Sequence, residues 1–288
     1  MGELQNQIKR LYGPTVSVKD SRSVSGGCIN DTAVITLSNN EKLFLKKNTL
    51  SPKDMFQAEL IGLQRLHSAG GPKVPTPICA FEDQTHQYLL IEYISSGTRL
   101  PDYWERFGAQ LAHLHRTVRH DRFGFEIDNY IGATPQINAL QNNWVTFFAE
   151  MRLAPQMRWA QQLLPMGIQN KLMYLMEHLS LFIAEPEGGP SIIHGDLWTG
   201  NAMVGPNGEP VIIDPATYFG HREAEIAMTM LFGRFGERFY SAYNETWPLE
   251  KDWAERMDLY NLYHMLNHVN LFGTGYLSSV SSIVNRYV

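Results

Sequence analysis

The stretch GPSIIHGDLWTGNAMVGPNGEPVIIDPA, residues 189–216, constrains this chain more than any other. Ile192-Ile193-His194 reads as a short buried strand, Asn201 to Val204 as a second and Val211 to Asp214 as a third. Gly205 to Pro210, rich in Gly, Pro and Asn, reads as the turn between the last two. Pairing Val204 with Val211 would set Asn201 opposite Asp214 at the open end of a hairpin. Directly opposed side chains have Cβ atoms about 5 Å apart, and Mg²⁺ takes oxygen ligands at about 2.1 Å, so one ion could touch both. Asp196, just upstream, can accept a proton. A base, an amide and a second carboxylate are the minimum for moving a phosphoryl group from ATP to a hydroxyl. His-Gly-Asp alone says little, because an Asp in a turn usually accepts from a backbone amide. The Asn five residues on and the strand-ending Ile-Asp-Pro make the set specific.

At 288 residues the chain can hold one large domain or two lobes. A net charge of −5 and the lack of any Lys/Arg run beyond two residues argue against a nucleic-acid partner. The polar start MGELQNQIKR is not expected to be a signal peptide, and Asn6 stands where myristoylation favours Ser or Thr. No apolar run approaches the roughly 18 residues of a membrane span. Two cysteines, Cys28 and Cys79, without CxxC spacing fit a reduced, cytoplasmic protein. Nothing asks for an oligomer, and a monomer is favoured.

The N-terminal half alternates β-rich runs with turns. Val16 to Val24, Thr32 to Leu37 and Lys42 to Lys47 read as strands, and Ser25-Gly26-Gly27-Cys28 as a Gly-rich turn that could aim free amides at phosphate oxygens. In Leu43-Phe44-Leu45-Lys46-Lys47 the two lysines point to opposite faces, and spacing does not choose between them. Ser51-Pro52-Lys53-Asp54 reads as a helix start with Ser51 as cap. Phe56, Leu60, Leu63 and Leu66 mark that helix's buried stripe, and Glu59 shares it. An inward Glu needs a partner, and a strand lysine is the obvious one. Ile78 to Phe81 and Tyr88 to Ile94 add two strands, followed by Ser95-Ser96-Gly97 and a mostly helical remainder. Five strands with one helix, a connector and a helical part give an α+β chain, with residues 1–94 and 98–288 as units about a hinge near 92–97.

The chain resembles the protein-kinase-like fold in its aminoglycoside/choline phosphotransferase branch, and within it the fructosamine kinase (ketosamine-3-kinase) family. The carriers are SGGCIN, LFLKKN, MFQAE, HGDLWTGN and IIDPATYFGHREAEIAM, with FG, NYIG, PQ and W–FF–RL between residues 123 and 153. The resemblance implies a bilobal fold, with a five-stranded antiparallel sheet and one main helix before a helical lobe. It makes Lys46, not Lys47, the phosphate-contacting lysine, and Glu59 its partner. It makes Gly26 and Gly27 the loop over the ATP phosphates, and Glu92, Tyr93 and Ile94 the adenine-binding hinge. Asp196 becomes the catalytic base, and Asn201 and Asp214 the Mg²⁺ ligands. Gly195 and Pro215 stand where protein kinases carry Arg and Gly. The implied reaction is ATP-dependent phosphorylation of a ketosamine, on a small amine or a glycated protein lysine, at the sugar's 3-hydroxyl. The product is unstable, so the role would be deglycation, a form of protein repair.

Trp198 is placed either to stack on a sugar or to pack beneath the catalytic loop. His221 and Arg222 are candidate substrate contacts. Glu225, opening an apolar run, is expected to brace the catalytic loop. His264 and His268 share a helix face at zinc-compatible spacing but lack a third ligand, so a structural role is expected. His113, His115 and His120 read as ordinary helix residues. Cys28 is a candidate redox-sensitive thiol in the Gly-rich loop. A related kinase for an aminoglycoside, choline or another sugar is the alternative, although residues 121–160 lack the acidity that cationic acceptors would need. A catalytically dead nucleotide-binding scaffold would have lost Lys46, Asp196, Asn201 or Asp214, and all four are present.

Overall fold

The computed structural model describes residues 2–24 and 30–288. Gly26, Gly27 and Cys28 lie outside the described residues. Helix α1 (Gly2–Tyr12) precedes a five-stranded antiparallel sheet of β1 (Val18–Ser23), β2 (Asp31–Leu37), β3 (Lys42–Thr49), β4 (Pro77–Glu82) and β5 (His86–Glu92), in the order β1-β2-β3-β5-β4. Helix α2 (Met55–His67) lies between β3 and β4 in the chain.

Side-chain alternation gives the sheet two apolar faces. Leu43 and Leu45 of β3 and Tyr88 and Leu90 of β5 pack with Leu4 and Ile8 of α1. Leu89 and Ile91 join Phe56, Leu60 and Leu63 of α2 on the opposite face. Lys46 therefore shares the α2 face with Phe44. Helix α1 was not expected, because its polar composition hides a stripe of only two residues one turn apart. Burying an aliphatic side chain contributes about 1.5–3 kcal/mol, enough for two to dock a short helix.

Helix α2 begins later than its Ser-Pro start suggested. Asp54, in the left-handed region at φ 58, precedes Met55 and makes no side-chain cap. Buried Gln87 of β5 explains this. Its amide donates to the carbonyls of Thr49 (2.8 Å) and Pro52 (2.6 Å), while its Oε1 accepts from the Phe56 amide at 3.2 Å. A cap delivered from a strand replaces the local one.

The helical part contains α3 (Tyr103–Thr117), the hairpin β6 (Asn129–Ile131) and β7 (Thr134–Gln136), then α4 (Trp144–Phe147), which continues through a π turn into α5 (Ala154–Trp159). Helix α6 (Met166–Glu177) leads to four short strands, β8 (Ser191–Ile193), β9 (Ala202–Val204), β10 (Pro210–Ile212) and β11 (Tyr218–Gly220). Helices α7 (Arg222–Leu231), α8 (Glu237–Thr246), α9 (Trp253–Phe272) and α10 (Leu277–Tyr287) complete the chain. One large core runs from α2 through Phe107, Trp144, Phe147 and Tyr243 to Leu266. No helix among the described residues is long and apolar enough to cross a membrane.

The β9–β10 hairpin forms one residue out of the expected register. Pro210, not Val211, faces Val204, and the Ile213 amide donates to the Asn201 carbonyl at 3.0 Å. Asn201 thus comes opposite Ile213, and Asp214 follows just beyond. The turn is tighter than composition suggested: Gly205 donates to Glu209 at 2.8 Å, and Gly208, at φ 77, supplies the left-handed residue of a three-residue loop. The hairpin is gripped from both sides. Lys73 forms a parallel bridge with Val211, and the Gly97 amide donates to the Val204 carbonyl at 3.0 Å.

Candidate active site

Lys46 is only 3% exposed, and its ammonium is shared by two carboxylates, Glu59 Oε1 of α2 at 2.5 Å and Asp214 Oδ1 at 2.8 Å. Burial alone would lower its pKa, but Asp214 and Glu59 outweigh that and hold it above its usual value, so it stays charged. Burial raises the Glu59 pKa despite the lysine beside it. The inward Glu of α2 and the inward Lys of β3 are thus mutual partners, as the amphipathic pattern required.

The loop after β8 holds its shape through buried hydrogen bonds. Glu225, at the start of α7, accepts from the amides of His194 (2.9 Å) and Gly195 (2.8 Å). It also accepts from His115 Nε2 of α3 at 3.0 Å, and His115 Nδ1 lies 2.8 Å from the Tyr243 hydroxyl. Because a carboxylate can only accept, Nε2 carries the proton and Nδ1 accepts from Tyr243. Burial would raise the Glu225 pKa, but the His115 bond, with the other donors, keeps it below the usual value. Gly195 sits at φ 84, and a Cβ there would lie 2.1 Å from the Ala216 carbonyl oxygen, so no other residue fits. His194 Nε2 donates to the Ile213 carbonyl at 2.8 Å, tying this loop to the residue before Asp214.

Asp196 is half-buried and is held by Asn201, whose Nδ2 donates to its carbonyl (2.8 Å) and to Oδ2 (3.1 Å). Burial and then the Asp214 charge push the Asp196 carboxyl well above its ordinary pKa, and Asn201 opposes them. The donor set suits Mg²⁺. Asn201 uses its nitrogen on Asp196, which leaves its carbonyl oxygen; the Asp214 side chain is 46% exposed and gives only Oδ1 to Lys46. Hard oxygen donors of this kind are what the ion prefers. Asp214 is itself left-handed at φ 58, a strained state for a non-glycine that recurs at functional sites.

At the end of β5 the Glu92 amide is taken by the Thr76 carbonyl (2.9 Å), and its carboxylate by Lys73 and Thr76, so only its carbonyl is a candidate for adenine. Ile94 makes no backbone hydrogen bond to another described residue. Tyr93, between them, has Lys42 Nζ 5.9 Å from its ring centroid. The Trp198 indole meets Phe232 edge-on at 5.9 Å and covers Gly200.

His221 and Arg222, candidate substrate contacts by sequence, are both buried and paired within the protein. His221, 1% exposed, accepts the Glu223 amide at Nδ1 (3.1 Å) and lies among Trp144 and Tyr260. Arg222, 4% exposed, donates to the carbonyls of Trp247 and Pro248 and stacks on the Trp247 ring at 3.7 Å. Their place beside the DPATYFG run brought them close in sequence, but the start of α7 turns both into the core. His115 went unnoticed as a partner of Glu225. The signal was available, since His115 follows Leu111 by four positions on the buried stripe of α3.

A lysine strung between α2 and the aspartate after the β9–β10 hairpin, beside a second aspartate held by an asparagine, is the wiring of ATP-dependent phosphotransferases of protein-kinase-like fold. That is the class this fold and site define. The model of the fructosamine kinase family matches residues 1–288, and the chain belongs to that family. It is 39% identical over 283 residues to a Synechocystis protein named a probable ketoamine kinase, covering 98% of this chain and 95% of that one. It is also 39% identical over 279 residues to the chloroplastic protein-ribulosamine 3-kinase of Arabidopsis thaliana, covering 96% and 85%. The crystal structure of a Thermobifida fusca protein provisionally named a fructosamine-3-kinase superposes with a TM-score of 0.88 at 31% identity, covering 99% and 98%.

Proposed function

We propose that this enzyme transfers the γ-phosphoryl group of ATP to the 3-hydroxyl of a ketosamine, either a small adduct or a glycated lysine on a protein, in a reduced, cytoplasmic setting. The observation that carries the proposal is Lys46 held at once by Glu59 and Asp214, with Asp196 fixed to Asn201 beside them. Lys46 contacts the phosphates. Asn201 and Asp214 hold Mg²⁺, which when bound offsets charge on the phosphate oxygens. The Glu92 carbonyl and the Ile94 amide meet the adenine edge, with residues 92–97 as the hinge. Asp196 orients the sugar hydroxyl and takes its proton as the new O–P bond forms and ADP departs. Its raised proton affinity suits a base used near neutrality. Trp198 offers a ring face to the sugar. Phosphorylation at the third carbon destabilises the adduct, which returns the amine. The names carried by the relatives support this acceptor class.

The test is ADP release with fructosyl-, ribulosyl- and psicosyl-amine adducts beside aminoglycosides and choline. Turnover of one or more ketosamines is expected, falling about 10²–10⁴-fold in Asp196→Asn. Turnover of choline alone would overturn the acceptor assignment.

A further inference from the structure

The β6–β7 hairpin touches no group assigned a chemical role, yet its inward side chains are polar and buried. Asn129 is 5% exposed and Gln136 is 1% exposed. Asn129 Nδ2 donates to the Thr217 carbonyl at 2.8 Å, and Gln136 Nε2 to the Ala216 carbonyl at 3.0 Å. The pair is locked in turn: Gln136 Nε2 and Asn138 Nδ2 both donate to Asn129 Oδ1, and the Tyr263 hydroxyl donates to Gln136 Oε1 at 2.8 Å. Residues 216 and 217 are the second and third after Asp214. Upstream, Ile213 is already tied to Asn201 and His194, and the Ala216 amide donates to the His194 carbonyl at 2.9 Å. The strained Asp214 is therefore stapled on both sides, and among the described residues the carbonyls of Ala216 and Thr217 accept side-chain hydrogen bonds from this hairpin.

The same hairpin reaches the helix that carries Glu59. The Tyr130 hydroxyl donates to the Lys53 carbonyl just before α2 (2.8 Å), and Glu126, leading into the hairpin, pairs with Arg65 of α2 at 2.6 Å. Helix α2 also meets the Asp214 segment directly, for a Cβ on Gly62 would lie 3.0 Å from Thr217 Oγ1.

We propose that the β6–β7 hairpin is a clamp. Through Asn129 and Gln136 it holds the segment after Asp214 against α2, so that Lys46, Glu59 and Asp214 stand ready for Mg²⁺ and nucleotide without a separate activating event. Asn129 and Gln136 are positioning residues. This rests on the assignment of Asp214 as a metal ligand, and it is independent of the acceptor.

The experiment measures the Mg²⁺ concentration for half-maximal binding of a fluorescent ATP analogue, without acceptor, alongside the thermal midpoint. Gln136→Met keeps the side chain's length and removes its donor. The Mg²⁺ requirement should rise about tenfold, as is usual when an outer support of a metal ligand is removed. Gly62→Ala gains about 1 kcal/mol of helix propensity while pressing on Thr217; the clamp predicts a rise in its Mg²⁺ requirement larger than any change in thermal midpoint accounts for. Either folded variant with the parent's Mg²⁺ requirement overturns the clamp. Asp214→Asn is the control: unchanged Mg²⁺ dependence there overturns the metal assignment, and the clamp with it.

Discussion

Replacing Glu225 with Gln should weaken this protein far more than a change of one atom suggests. The carboxylate accepts three donors, the amides of His194 and Gly195 and the Nε2–H of His115, in a site with no solvent. A glutamine has one acceptor oxygen. Placed where Oε2 stands, it keeps His194 and His115 and turns its NH₂ toward the Gly195 amide. One buried amide is then unpaired, at about 1–3 kcal/mol, and two bonds lose their charge, at about 1 kcal/mol each. The sum, about 3–5 kcal/mol, is a large share of the roughly 5–15 kcal/mol that holds a domain folded. Urea unfolding near neutral pH, followed by tryptophan fluorescence, reads it directly. Because Gly195 precedes Asp196, turnover of the folded fraction should fall more than its affinity for ATP. A stability loss under about 1 kcal/mol would refute this account of the buried carboxylate.

Lys46→Met removes the cation that bridges Glu59 and Asp214, so nucleotide affinity should fall at least about tenfold while the fold survives with Glu59 taking up a proton; direct nucleotide titration and circular dichroism check both. Gly195→Ala places a Cβ against the Ala216 carbonyl at a positive φ, and should abolish Mg²⁺-dependent nucleotide binding and lower the thermal midpoint. Acid should begin to destabilise the protein at pH values above the ordinary carboxylate range. Burial, with His268 and Arg152 nearby, lowers His264 to a pKa of about 3, so the unfolded chain takes up a proton below its value of about 6.5 and the folded chain does not. That stability is present above pH 6.5 and lost as pH falls towards 3; at pH 5.5 this one residue accounts for roughly 1 kcal/mol, which His264→Gln should recover in denaturation curves.

The catalytic letters were legible because phosphoryl transfer needs particular atoms, and few side chains supply them. Asp196, Asn201 and Asp214 were found by type and order and Glu59 by its place on a helix stripe, while the choice of Lys46 over Lys47 came from the family resemblance; the structure brings these side chains together. Errors arose where geometry depended on contacts from elsewhere. The β9–β10 register shifted because a glycine allowed a three-residue loop. Helix α2 started late because Gln87, on another strand, took the Pro52 carbonyl and the Phe56 amide that a longer helix would have paired with each other. His221 and Arg222 looked like cleft residues until α7 turned them inward. Asn129 and Gln136 stood in motifs noticed for family resemblance, but nothing local said which carbonyls they would satisfy.

The sequence by itself determined which residue types could carry the chemistry and the buried stripe of α2, since alternation and helical periodicity follow from backbone geometry and covalent order. It could not determine which buried polar group meets which. A buried carboxylate or amide must find a partner, but the choice among partners far apart in the chain is made by packing. Tertiary structure alone therefore assigned His115 to Glu225, Gln87 to α2, and the β6–β7 hairpin to the segment after Asp214.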